Sequence, residues 1–70
     1  MASHLLTPRE KEVFELLIQN KDTSLIALEL NISEKTVRNH ISNVICKLGV
    51  TSRTQAIIEL LKYNIIKLDK

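Results

Sequence analysis

Cysteine, glycine and proline each occur once in these 70 residues, and only Phe14 and Tyr63 are aromatic. A lone cysteine, Cys46, supports neither an internal disulfide framework nor a cysteine-based zinc site, which suits a reducing, cytoplasmic setting. One glycine cannot build a phosphate-cradling loop. Two aromatics cannot line a stacking platform for unpaired bases, so single-stranded nucleic acid is a poor match. No apolar run approaches the roughly 18 residues of a membrane span, and the N-terminus shows no basic-then-apolar signal segment. A membrane role is therefore not expected. Useful β-alternation is missing as well, as are repeats, linkers and low-complexity stretches. What is left to expect is one all-α domain over residues 1–70.

The composition that remains is 44% apolar, chiefly Leu, Ile and Val, and 26% charged, which favours a compact helical unit over a disordered segment. Net charge is only +2, but it is unevenly spread. Residues 1–32 hold Arg9, Lys11 and Lys21 against Glu10, Glu12, Glu15, Asp22 and Glu29, a balance of −2. Residues 33–70 hold seven cations against Glu34, Glu59 and Asp69, a balance of +4. A basic second half is what contact with a polyanion requires, although basic helices are often merely solvated.

Helix signals divide the chain into four. Thr7-Pro8-Arg9-Glu10 is a capping box with proline in the first turn, opening helix 1 at about 8–19. Val13, Phe14, Leu17 and Ile18 share its apolar face, and Asn20 is a left-handed stop. Asp22 or Thr23 caps helix 2 at about 24–30, with Ile26, Ala27 and Leu30 facing inward. Asn31-Ile32-Ser33 forms a turn and a new cap. Helix 3 follows at about 34–48 on Val37, Ile41, Val44 and Leu48, and Gly49 ends it. Ser52 with Gln55 repeats the capping-box pattern and opens helix 4 at about 53–63, whose apolar face is Ala56, Ile57, Leu60 and Leu61. A short helix, a three-residue break and a longer helix make a helix-turn-helix. Small Ala27 lets the two helices approach.

The outward face of helix 3 carries the functional information. At about 100° per residue, Lys35, Asn39, Ser42, Asn43 and Cys46 lie opposite the apolar stripe, with Thr36, His40 and Lys47 on one flank and Arg38 on the other. Exposed helix positions usually take strong helix formers such as Glu, Lys, Gln or Ala; here short amides and hydroxyls dominate, and Glu34 is the only acid. That set suits the major groove of double-stranded DNA, where Arg spans both guanine acceptors and Asn pairs with the adenine edge. Lys35, Thr36, His40 and Lys47 are better placed for phosphates, which position without reading sequence. Glu10 and Arg53, each on or beside a core-facing stripe, are expected to pair and tie helix 1 to helix 4. His4 has no assigned role.

Taken together, Leu6-Thr7-Pro8-Arg9-Glu10, Ile26-Ala27, Ile32 to His40, Asn43-Val44, Lys47-Leu48-Gly49-Val50 and Ser52 to Ala56 resemble the LuxR/GerE-type helix-turn-helix family over about residues 5–66. The resemblance implies a four-helix bacterial domain that binds DNA as a homodimer and regulates transcription, without a cofactor. It resembles in particular the small sporulation regulators that consist of this domain alone. Carried over by position, Arg38, Asn39 and Ser42 match base-facing sites, and Lys35, Thr36, His40, Asn43 and Lys47 match backbone-contacting or flanking ones. Helix 4 supplies the dimer contact in the family; Thr54, Ile58, Leu61 and Ile65 form the candidate stripe here, with ordinary core as the alternative.

Three positions depart from the family pattern. Asn20 replaces a usual glycine, a change that asparagine tolerates. Ser24 and Leu25 replace a more polar pair, leaving Leu25 and Leu28 as an apolar edge; it suits a partner such as RNA polymerase, or is plain scattered surface leucine, the commoner case. Ser42 stands where some relatives carry a base-reading cation, so their target sequence does not transfer.

Two other functions compete with DNA binding. An enzyme is disfavoured because His40 and Cys46, six residues apart, point to different sides of the helix and have no base, orienter or oxyanion loop. A protein-interaction module that pairs with a related regulator is the stronger alternative, but it gives no reason to keep Lys35, Arg38, Asn39 and Lys47 on an outward face.

Overall fold

A computed structural model describes residues 5–67 and contains, among them, four α-helices and no strand. They are α1 (Pro8–Leu17), α2 (Thr23–Leu30), α3 (Glu34–Leu48) and α4 (Arg53–Lys62). His4 lies outside the described residues. Each helix starts on a side chain that accepts a backbone N–H three residues on: Thr7 from Glu10, Asp22 from Leu25, Ser33 from Thr36 and Ser52 from Gln55. These bonds satisfy amides that a helix N-terminus otherwise leaves orphaned. The Thr7 box is reciprocal, since Glu10 Oε1 accepts the Thr7 N–H at 3.0 Å. The box expected at Ser52 is only half formed. Gln55 Oε1 instead takes the N–H and hydroxyl of Thr51, at 3.0 and 2.8 Å.

The helix ends share one device. Asn20, Asn31, Gly49 and Asn64 all have left-handed backbone, with φ of 68°, 59°, 70° and 59°. The residue after each donates back five positions: Lys21 to Leu16, Ile32 to Ala27, Val50 to Ile45 and Ile65 to Leu60. This is the Schellman motif four times over, and it reverses the chain sharply enough to keep the connections short. Asn20 therefore stops α1 as expected, although the regular helix ends three residues before it, at Leu17.

The core is built from Val13, Phe14, Ile26, Ala27, Val37, Ile41, Val44, Ala56 and Leu60 of the four helices. Leu6 and Ile66, outside any helix, close it at its two ends of sequence. Leu17, Ile18, Leu30, Leu48, Ile57 and Leu61 pack around it half-buried. α3 is the central element and packs against α1, α2 and α4. Its inner face is held from three sides, which leaves one long face for a partner.

Candidate nucleic-acid interface

Val37, Ile41 and Val44 are buried at spacings of four and three, and this fixes the rotation of α3 about its axis. The opposite face is open: Lys35, Arg38, Asn39, Ser42, Asn43 and Cys46 are all exposed. Lys35, Asn39, Ser42 and Asn43 make no side-chain hydrogen bond to other described residues, so their donors and acceptors are available to a ligand. Arg38 Nη1 lies 3.3 Å from Glu34 Oε1, one turn earlier, and both side chains are about half exposed. A solvated i,i+4 pair of this kind contributes only a few tenths of a kcal/mol, so Arg38 can exchange it for a stronger acceptor at little cost. Ser33 caps the helix and also hydrogen-bonds the Thr36 hydroxyl at 2.9 Å, leaving Thr36 half-buried beside the positive end of α3.

The flank that carries His40 and Lys47 is different. Lys47 Nζ donates to Glu10 Oε1 at 2.5 Å, and the Glu10 side chain is only 4% exposed. The ion pair expected between Glu10 and Arg53 is thus corrected. Arg53 is exposed at the first position of α4, whereas Glu10 turns towards α3. Lys47, expected as a phosphate contact, already holds this carboxylate while its side chain stays 35% exposed. Burial pushes the Glu10 carboxyl up, but Lys47, the Thr7 amide and the charge of His40 outweigh it and hold the group below its ordinary value. His40 and Lys47, two turns apart, share one side of α3, but that spacing does not name Glu10 as their partner.

Of the stripe considered for self-association, Thr54 and Ile58 are exposed, Ile58 at 56%, and Leu61 is half-buried. Ile65 leaves the stripe. α4 ends at Lys62, the left-handed Asn64 breaks the helical phase, and Ile65 packs half-buried against the core instead. Sequence reasoning missed Tyr63, which is 60% exposed just past α4 with the Lys62 ammonium 5.8 Å from its ring centre.

A cleft between α1 and α2 is lined by Glu12, Glu15, Gln19 and Glu29 over Leu16 and Leu30, with no α3 residue among them. Its carboxylates would repel phosphate, so this cleft is no part of a DNA-binding surface. Among the described residues no three metal-ligating side chains cluster, and no helix is long and apolar enough to cross a membrane.

α2, the left-handed turn at Asn31 and the longer α3 with its polar outer face form a helix-turn-helix. The model of the family described as bacterial regulatory proteins, luxR family, matches residues 4–60. Spore germination protein GerE of Bacillus subtilis (strain 168) is 64% identical over 64 residues, which cover 91% of this chain and 86% of that protein. Transcriptional regulatory protein DegU of Brevibacillus brevis is 45% identical over 64 residues, but those are only 27% of its length. The solved structure of the transcription factor GerE matches with a TM-score of 0.91 and 58% identity, over 93% of this chain and 97% of that one. The chain belongs to the LuxR family of bacterial regulatory proteins, a homologue of GerE whose helix-turn-helix is a DNA-binding domain of transcription regulation rather than an enzyme.

Proposed function

We propose that this chain binds double-stranded DNA sequence-specifically as a homodimer, with α3 of each copy in a major groove. The observation that carries this reading is the face of α3. Arg38, Asn39 and Ser42 are exposed together on a helix whose rotation is locked by its core side, and they suit base edges. Lys35, Thr36, His40 and Asn43 border them and suit phosphates. The exposed Thr54 and Ile58 of α4, with half-buried Leu61 beside them, join the two copies. Two recognition helices then meet half-sites about one helical turn apart. Such a regulator acts in the cytoplasm, at the nucleoid, with RNA polymerase as its partner on the promoter.

Selection of bound duplexes from a random-sequence pool, with the wild-type chain beside Arg38→Ala, tests the proposal. The expected result is a motif of paired half-sites, with Arg38→Ala losing about 1–3 kcal/mol and relaxing one base pair of each half. Failure of the wild type to enrich any sequence would sink it.

A further inference from the structure

Among the described residues the most deeply placed charged group lies beside the recognition helix rather than on it. Glu10 is 3% exposed, yet its Oε1 accepts from both the Thr7 N–H of the α1 cap and the Lys47 ammonium in the last turn of α3. One oxygen therefore joins the start of α1 to the end of α3, across 37 residues of sequence. Taking a carboxylate out of water is costly, and a well-packed apolar pair of the same volume often stabilises a fold as well or better. What an apolar pair lacks is direction. Two hydrogen bonds converging on one oxygen define where the end of α3 sits relative to α1, whereas packing of Val, Ile and Leu tolerates sliding.

From this geometry we infer that Glu10 and Lys47 are positioning residues for DNA recognition: the pair sets the angle at which α3 presents Arg38, Asn39 and Ser42, and Lys47 is not a phosphate contact. The inference rests on the DNA-binding reading above. It withdraws Lys47 from the backbone-contacting set and assigns Glu10, on α1 rather than α3, a part in sequence discrimination. His40, on the same side of α3, is the other titratable group whose charge Glu10 feels.

The two roles for Lys47 differ in their salt dependence. A phosphate-contacting lysine releases a counterion, so its loss lowers the slope of log affinity against log salt by about 0.9 and weakens all duplexes alike. A positioning lysine, already neutralised by Glu10, leaves slope and non-specific affinity unchanged while weakening the specific site. The test measures binding of wild type, Glu10→Gln, Lys47→Met and Lys47→Arg to the duplex recovered by selection and to a random duplex, over a salt series. Glu10→Gln and Lys47→Met are each expected to weaken the selected duplex about tenfold, at unchanged salt slope and within about twofold on random DNA. Lys47→Arg, which can still reach the carboxylate, is expected to restore specific binding. A slope reduced by about one in Lys47→Met, or tighter specific binding in Glu10→Gln through a freed Lys47, overturns the inference. Circular dichroism confirms that each variant is folded. Should Lys47→Met fail to fold, Glu10→Gln against Lys47→Arg gives the same decision. Loss of the DNA-binding reading itself has another signature, since wild type would then not prefer the selected duplex at all.

Discussion

Asn20, Asn31, Gly49 and Asn64 each lie one to three residues past a helix with positive φ, and only one of them is glycine. Asparagine enters the left-handed region at a modest penalty because its short amide bonds locally, whereas a plain Cβ costs about 1–2 kcal/mol there. A Cβ built on Gly49 meets nothing within 4 Å, so the backbone term acts alone. Gly49→Ala is expected to lose about 1 kcal/mol, after the gain from a less flexible unfolded chain, and Gly49→Asn less. Urea unfolding checks both, and equal stability of the alanine variant would remove the strain argument. At Glu10 the consequence runs through pH. Its carboxyl is held below the ordinary 4.5, because Lys47, Thr7 and His40 outweigh burial. A carboxyl with a depressed folded value contributes stability that is fully present above the unfolded value and is lost as pH falls through the folded one. Wild type should thus lose more stability than Glu10→Gln between about pH 5 and the folded value, as followed by thermal melts across that range. Parallel losses would show that the Glu10 charge is not what ties α1 to α3.

At the level of elements, α2 leads into α3 through a short turn whose Ile32 N–H donates to the Ala27 carbonyl at 3.0 Å, and Ala27 itself is a small residue of the core, 7% exposed. A larger residue there must move a helix. Ala27→Leu is expected to cost about 1–3 kcal/mol by overpacking and to weaken specific DNA binding more than non-specific binding, since the tilt of α3 changes while its charges remain. Denaturant titration and binding to selected and random duplexes measure the two effects. Unchanged discrimination would mean that the crossing does not set the reading angle. The same elements show what the sequence makes legible. All four helices could be read because each begins with an oxygen-bearing cap and carries apolar residues at spacings of three and four, a local pattern fixed by backbone geometry. Ala27 and Gly49 were legible because each fills a role that few side chains fit. Leu6, Ile66 and the Asn64 stop were not, because residues outside a helix have no period to betray burial. The Glu10–Lys47 tie was misassigned to Arg53 for the same kind of reason. Periodicity says that a charged residue faces inward, but its partner depends on how two helices pack, a relation 37 residues long in sequence.

For the whole molecule, size and charge set what one copy can do. The described residues span 29 × 28 × 21 Å and hold one α3, so one copy places one helix in one groove, and the next major-groove face of B-DNA lies roughly 34–36 Å on. Reading two half-sites takes two copies, and the exposed apolar residue on α4 that can join them is Ile58. At 56% exposure Ile58 contributes little to the monomer, so Ile58→Glu should change its stability by no more than about 0.5 kcal/mol. In a dimer, two such carboxylates would be buried face to face, and the interface should not survive. The expected outcome is that Ile58→Glu binds a single half-site as the wild type does but loses the cooperative gain on a paired site. Wild-type titrations on paired duplexes should instead show the second copy binding at a lower concentration than the first. Linked binding multiplies affinity without any new DNA contact, so this gain isolates the protein–protein contribution from that of α3. Retained cooperativity in Ile58→Glu would move the joint to another face, with Tyr63 the next exposed apolar side chain along the chain to exchange.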